Sequence, residues 1–137
     1  MRLIVNTNRI IAALVKDSYS RKIIMQANAE LITIRLSAEE IQKHFSEIGE
    51  KSALSSEEIE LLLGKFAEKL ILLDDLAVQR YMDEAKDIMD SIDKDDTPFI
   101  AAALAADAPI WSDDHHFQQQ SRVKVYRTKE LGKLWQD

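Results

Sequence analysis

The sequence of 137 residues contains no cysteine, which excludes disulfide cross-links, thiolate metal sites and cysteine nucleophiles together. Glycine and proline are scarce, at three and two residues, so little of the chain is suited to long irregular loops. No apolar run approaches the roughly 20 residues of a membrane-spanning helix, and the N-terminus lacks the pattern of a signal peptide. The expectation is a cytosolic protein with no membrane association. Positive charge is in the minority: 18 Lys and Arg stand against 24 Asp and Glu, a net charge of −6. That balance argues against a tight, non-specific nucleic-acid binder, which neutralises phosphates with a basic surface. A nuclease remains compatible with it, because carboxylates clustered around a metal contribute to the same excess and the bound ion offsets them.

What the sequence does have is apolar patterning. Hydrophobic residues at 46% can fill a core, and at this length residues 1–137 read as a single domain. RLIV (Arg2 to Val5) is a short buried strand. Thr7 or Asn8 is positioned to cap a helix from Arg9 to Lys16, Ser20 opens a helix from Arg21 to Asn28, and Leu31 to Ile34 is a second strand. SAEEIQKHFSEIG has Ile41, Phe45 and Ile48 at helical spacing, a capping-box pattern in Ser37 and Glu40, and a stop at Gly49. SSEEIELLLGKFAEKL repeats that grammar, with Ser55 and Glu58 as the box and Ile59, Leu62, Leu63, Phe66 and Leu70 as the stripe. These two helices read as a hairpin whose apolar faces serve either the core or an interface between two copies.

Leu70 to Leu73 is a third strand, and LAVQRYMDEAKDIM one helix. TPFIAAALAAD begins a small-residue helix with Pro98 in its first turn, where a missing N–H costs little. PIWS and VKVY are the last strands, DDHHFQQQ a loop or short helix between them, and TKELGKLWQ the terminal helix. Alternation of this kind predicts an α/β fold: a three-layer α/β/α domain with a parallel sheet of about five strands.

In such folds ligands bind where strands end and helices begin. The polar residues at those places are Asn6, Glu40, Asp95 and Asp96, and Asp113 and Asp114. Carboxylates brought together from distant parts of a chain repel one another and persist mostly when they hold a divalent ion. Oxygen donors without cysteine suit Mg²⁺ or Mn²⁺. Each residue also has a plainer reading. Glu40 and Asp96 can be helix caps that complement the dipole, and Asp113 with Asp114 can be a turn. His115 and His116 read as a solvated loop pair, since adjacent residues rarely share one ion. His44 reads as a surface or supporting residue. Lys16, Arg21, Lys22 and Lys43 are ordinary helix surface or phosphate contacts.

Taken together, NTNRIIAAL after the opening strand, the Glu-Ile pair of SAEEIQKH, DDTPFIAAALAADAPIWSDDHHF and the closing VKVYRTKEL resemble the PIN-domain family across essentially the whole chain. The third block is the most specific, with an Asp, an aromatic-aliphatic-Ala helix, Pro-Ile-Trp and then Ser-x-Asp-x-x-Phe. The resemblance implies a PIN-like α/β domain and a metal-dependent ribonuclease, often the toxin of a VapC-type toxin–antitoxin pair. It implies Mg²⁺ or Mn²⁺ as cofactor, RNA as substrate and an antitoxin protein as partner, while the expectation of a homodimer rests on the apolar stripes of the helices from Glu39 to Leu70. Carried over by position, the four acidic ligands fall at Asn6, Glu40, Asp96 and Asp114. Asp95 and Asp113 are neighbours that assist through water, Ser112 matches a family Ser or Thr that bonds the first-strand residue, and Asn8 matches the Asn of the family's Asp-Thr-Asn opening.

The departure is at Asn6, where the family pattern has Asp. An amide oxygen still coordinates a hard cation but brings no charge, and its NH₂ turns a donor toward the ion where the second carboxylate oxygen would be. Three accounts stand: a substitution made to silence a toxic nuclease, a natural loss of catalysis leaving a non-catalytic RNA- or protein-binding module, or an Asn that serves adequately beside three acids. A phospho-receiver domain shares the size and sheet type, with Asp74 and Asp75 after its third strand, but has no place for the SDDHHF block.

Overall fold

Alternation within RLIV divides the molecule into its layers. In the computed structural model, which describes residues 1–135, β1 (Arg2–Val5) turns Leu3 and Val5 to one side and Ile4 to the other, all three fully buried. The same period sends Leu31 and Trp111 to the first side and Ile32 and Ile110 to the second, along β2 (Glu30–Thr33) and β4 (Ile110–Trp111). With β3 (Leu70–Leu72) and β5 (Val125–Tyr126) the sheet has five strands in the order β3-β2-β1-β4-β5, every pair parallel.

The first side is covered by α1 (Thr7–Val15), α2 (Tyr19–Gln26), α3 (Arg35–Lys43), α4 (Phe45–Ser52), α5 (Ser56–Lys69) and α9 (Thr128–Leu134). The second is covered by α6 (Asp75–Arg80), α7 (Met82–Asp93) and α8 (Thr97–Ala106). The expected α/β/α architecture is therefore present. Among the described residues no helix is long and apolar enough to cross a membrane.

Strand order places the crevice. The chain steps outward from β1 to β2 and β3, then returns to the opposite side of β1 with β4, so helices diverge where β1 and β4 meet. The order also removes the phospho-receiver reading, in which the third strand lies beside the first. Here the third strand is at the far edge.

Several local expectations are corrected by tertiary contacts. The helix after β1 starts at Thr7, with Asn6 as its cap. The second helix runs two residues ahead of the expected span, from Tyr19 to Gln26. Ser37 and Glu40 do not form a capping box, because α3 leaves β2 directly through Ile34 and Ser37 is buried inside its first turn. The helix also stops at His44, well before Gly49, and α4 then carries Gly49 in its interior and ends on Ala53 in the left-handed region at φ 59°. LAVQRYMDEAKDIM breaks at Tyr81 into α6 and α7. The Ser55–Glu58 box does form, both bonds being present. Gln136, expected to end the terminal helix, lies outside the described residues.

Tertiary packing also divides the apolar stripes: Ile41, Ile48, Ile59 and Phe66 enter the core, while Phe45, Leu62, Leu63 and Leu70 are only partly buried. Helix α8 is buried along most of its length, and its run of alanines lets it lie close to the sheet. Ala102→Leu is therefore expected to destabilise the fold by about 1–3 kcal/mol through overpacking, read as a lower urea midpoint at constant slope.

Candidate metal centre at the carboxyl end of the sheet

Every strand runs in the same direction, so the residues that follow β1 and β4 emerge at one end, and α8, which leads back into β4, begins at that end. Asn6, Ser112 to Asp114 and Asp96 are gathered by topology alone. Asn6 is 3% exposed; its backbone N–H donates to the Trp111 carbonyl at 3.1 Å, and its Oδ1 accepts from the Asn8 N–H at 3.3 Å.

Asp96 stands at the head of α8, where an aspartate ordinarily accepts a hydrogen bond from the first turn. Its side chain makes no such cap. Oδ2 is instead buried without a hydrogen-bond partner, among Asp93, Asp114 and His116. The helix-cap reading of Asp96 is thus overturned. Burial pushes its carboxyl up from 3.8 to about 7, with the negative charges of Asp93 and then Asp114 adding to the rise and His116 opposing it.

Asp114 is set by two local bonds. Its backbone N–H donates to Ser112 Oγ at 3.0 Å, and its Oδ1 accepts from the His116 N–H at 3.0 Å. This turn brings the His116 ring back over the acids, with Nδ1 at 3.0 Å from Asp93 Oδ2, 3.3 Å from Asp114 Oδ1 and 3.6 Å from Asp96 Oδ2. His116 is therefore part of the cluster, and the solvated-pair reading holds only for His115, whose side chain is 81% exposed.

Asp93 and His116 are the two members that sequence reasoning missed. Asp93 lies three residues before Asp96 across a 3-10 turn (Lys94–Asp96), a spacing that puts both on one face. His116 lies two residues past Asp114, within reach of an Asx turn. Both signals were present but only the fold gives them a common target.

Glu40 is held separately, in the second turn of α3 rather than at its start, so it is not a cap. Thr7 Oγ1 donates to Glu40 Oε1 at 2.6 Å and lies 2.8 Å from Ser37 Oγ, a buried hydroxyl pair that fixes the carboxylate from beneath. Glu40 and Asp95 line one cleft with Glu39, Lys43 and Lys94. Thr7→Val is expected to cost about 1–2 kcal/mol in a urea titration, since it removes the donor to Glu40 and leaves Ser37 unpaired.

The neighbouring acids and polar residues are largely structural. Asp113 faces away: its carboxylate pairs with Arg9 at 2.7 Å and accepts from the Thr128 N–H and hydroxyl at 2.7 and 2.9 Å, tying α1 to α9. That geometry corrects the expectation that it assists the site. Asp95 is exposed and donates its N–H to Asp93 Oδ1 at 3.0 Å. Ser112 Oγ serves Asp114, with no side-chain bond to Asn6 among the described residues. Asn8 contributes its backbone N–H, while its side chain opens on a different cleft beside His44, Glu47 and Lys51. His44 is exposed there, 3.2 Å from Glu47. Arg21 donates from Nε and Nη2 to the Ala13 and Leu14 carbonyls at 2.7 and 3.3 Å, which closes the end of α1.

The donor set fits a divalent cation. Ligand atoms of Asp93, Asp96 and His116 lie within 4.8 Å of one another, an orphaned carboxylate oxygen sits among them, and the donors are oxygen and imidazole nitrogen.

Comparisons with known proteins agree with this fold. The family profile described as PIN domain matches residues 4–133. Among solved structures, one described as the crystal structure of VapBC2 from Rickettsia felis bound to a DNA fragment from their promoter is similar in fold, with a TM-score of 0.71 at 18% identity, covering 93% of this chain and 98% of that one. No curated protein matches the sequence.

Proposed function

Because this chain belongs to the PIN-domain family, we propose that it is a metal-dependent endoribonuclease, the toxin of a cytosolic toxin–antitoxin pair, with its cleavage impaired by Asn6 in place of an acid. The observation that carries the reading is Asp96: a carboxylate at a helix head that caps nothing, has an orphaned buried oxygen, and is crowded by Asp93 and Asp114. Such a grouping costs the fold free energy unless a cation or a proton neutralises it.

Asp96 and Asp114, with Asp93 beside them, are the residues that would hold Mg²⁺ or Mn²⁺, and Glu40, held separately by Thr7, and the Asn6 amide oxygen are the further partners expected at this end of the sheet. When bound, such an ion lowers the pKa of water and offsets the charge that develops in phosphodiester hydrolysis. The chain's own groups prepare for that chemistry. Thr7 orients Glu40, and the Ser112 hydroxyl and the Asx turn hold Asp114. Lys43 and Lys94, set among Glu39, Glu40 and Asp95 in one cleft, are the cations that RNA phosphates would meet there. Exposed Leu61, Ile71, Leu72 and Leu76 offer apolar surface for an antitoxin or for a second copy in a homodimer.

A non-catalytic PIN-like module that binds RNA or protein is the second reading, and Asn6 is the observation that favours it. The deciding experiment is Mn²⁺-dependent cleavage of a structured RNA by this chain and by Asn6→Asp, with Asp114→Asn and EDTA as controls. Cleavage that follows the acid at position 6 and vanishes in both controls supports the nuclease. Two folded proteins that bind RNA and never cut it favour the second reading.

A further inference from the structure

We propose that His116 is the nitrogen ligand of this centre, binding through Nδ1 and biasing it toward a first-row transition ion such as Mn²⁺ over Mg²⁺. The inference rests on the metal-centre reading above and adds to it a ligand and a selectivity.

The ring nitrogen is placed as a ligand is placed. Nδ1 lies 3.0 to 3.6 Å from carboxylate oxygens of Asp93, Asp114 and Asp96, yet it is buried and makes an aligned hydrogen bond to none of them. Atoms in cis positions around an ion at about 2.1 Å stand about 3 Å apart, so these separations, which are those of ion pairs when the ring carries a proton, also suit ligands sharing one ion. The ring is also pre-positioned. Asp114 Oδ1 accepts from the His116 backbone N–H, and the next residue, Phe117, is fully buried in the core. Gln120 closes the turn, its Nε2 donating to the Phe117 carbonyl at 2.9 Å and to the Val123 carbonyl at 2.8 Å.

Selectivity follows from the donor type. Mg²⁺ keeps hard oxygen ligands and gives up water reluctantly, whereas a first-row transition ion gains from an imidazole lone pair. With an amide at position 6 the site has one anionic oxygen fewer, and the nitrogen becomes a larger share of its donor strength.

The test is Mn²⁺ binding by the full chain at about pH 8, followed by titration calorimetry and by pulsed electron paramagnetic resonance. The expected result is a ¹⁴N coupling to bound Mn²⁺ that persists in His115→Gln and disappears in His116→Gln. In the His116 variant the Mn²⁺ Kd rises about 10-fold or more while the Mg²⁺ Kd changes by less than about threefold. Mn²⁺ bound without a ¹⁴N coupling, or one that survives in His116→Gln, overturns the ligand assignment and leaves the oxygen centre standing. Failure of the folded chain to bind either ion overturns both. The wild-type spectrum decides the matter even if the variant does not fold.

Discussion

Asn6→Asp is expected to raise Mn²⁺-dependent cleavage of a structured RNA by at least about 100-fold under single-turnover conditions. A unit charge about 4 to 5 Å from a divalent ion is worth several kcal/mol at an effective dielectric near 20. Part of this is offset by desolvation of the new carboxylate, and a remaining effect of about 3 kcal/mol corresponds to roughly two orders of magnitude in rate. The fold is expected to survive the change. Asn6 is buried as the cap of α1, its Oδ1 accepting from the Asn8 N–H, and an aspartate accepts the same bond. The metal-free variant pays for its activity in charge repulsion: its thermal midpoint falls below that of this chain and recovers with Mn²⁺ by linkage. Equal rates from the two folded proteins would refute the claim that position 6 limits cleavage.

Asp96→Asn is expected to have opposite effects on stability and activity. Burial and the charges of Asp93 and Asp114 raise the Asp96 carboxyl from 3.8 to about 7, so the metal-free fold holds this proton more tightly than the unfolded chain does. The contribution of this group is therefore most favourable to folding at low pH. It is lost progressively as pH rises from about 4 to about 7 and is absent above that window. Because solvent reaches part of the carboxyl, the loss is about 2–3 kcal/mol. Asp96→Asn removes this slope, and the metal-free variant is more stable than the parent at pH 8 by a similar amount. It also abolishes stabilisation by Mn²⁺ and lowers cleavage in the Asn6→Asp background by about 1,000-fold or more. Urea titrations at pH 5 and pH 8, with and without Mn²⁺, check both halves. A metal-free parent as stable at pH 8 as at pH 5 relative to Asp96→Asn would show that the carboxylate is not destabilising.

The strands and the helix–strand alternation were legible because they rest on local information. RLIV is apolar at every position but the first and too short for a helix, and TPFIAAALAA carries its own start signal in Pro98 and its own packing surface in its alanines. The Ser55–Glu58 box formed because both of its bonds lie within one turn. The Ser37–Glu40 pattern, identical in spacing, did not. Ser37 and Glu40 are drawn instead to Thr7, some thirty residues earlier, and that distant hydroxyl outweighs a local cap.

The candidate site divides along the same line. Residue type and order alone put acids at Glu40, Asp96 and Asp114 and an amide at position 6, and closed cysteine chemistry to the chain. Tertiary structure decided which polar residues meet. It sent Asp113 to Arg9 and Thr128, and brought Asp93 and His116 to Asp96. Sequence spacing reports which side chains share a face over a turn or two. Which faces then confront each other depends on strand order, and only the closing of β4 against β1 carries the Asp114 turn to the head of α8.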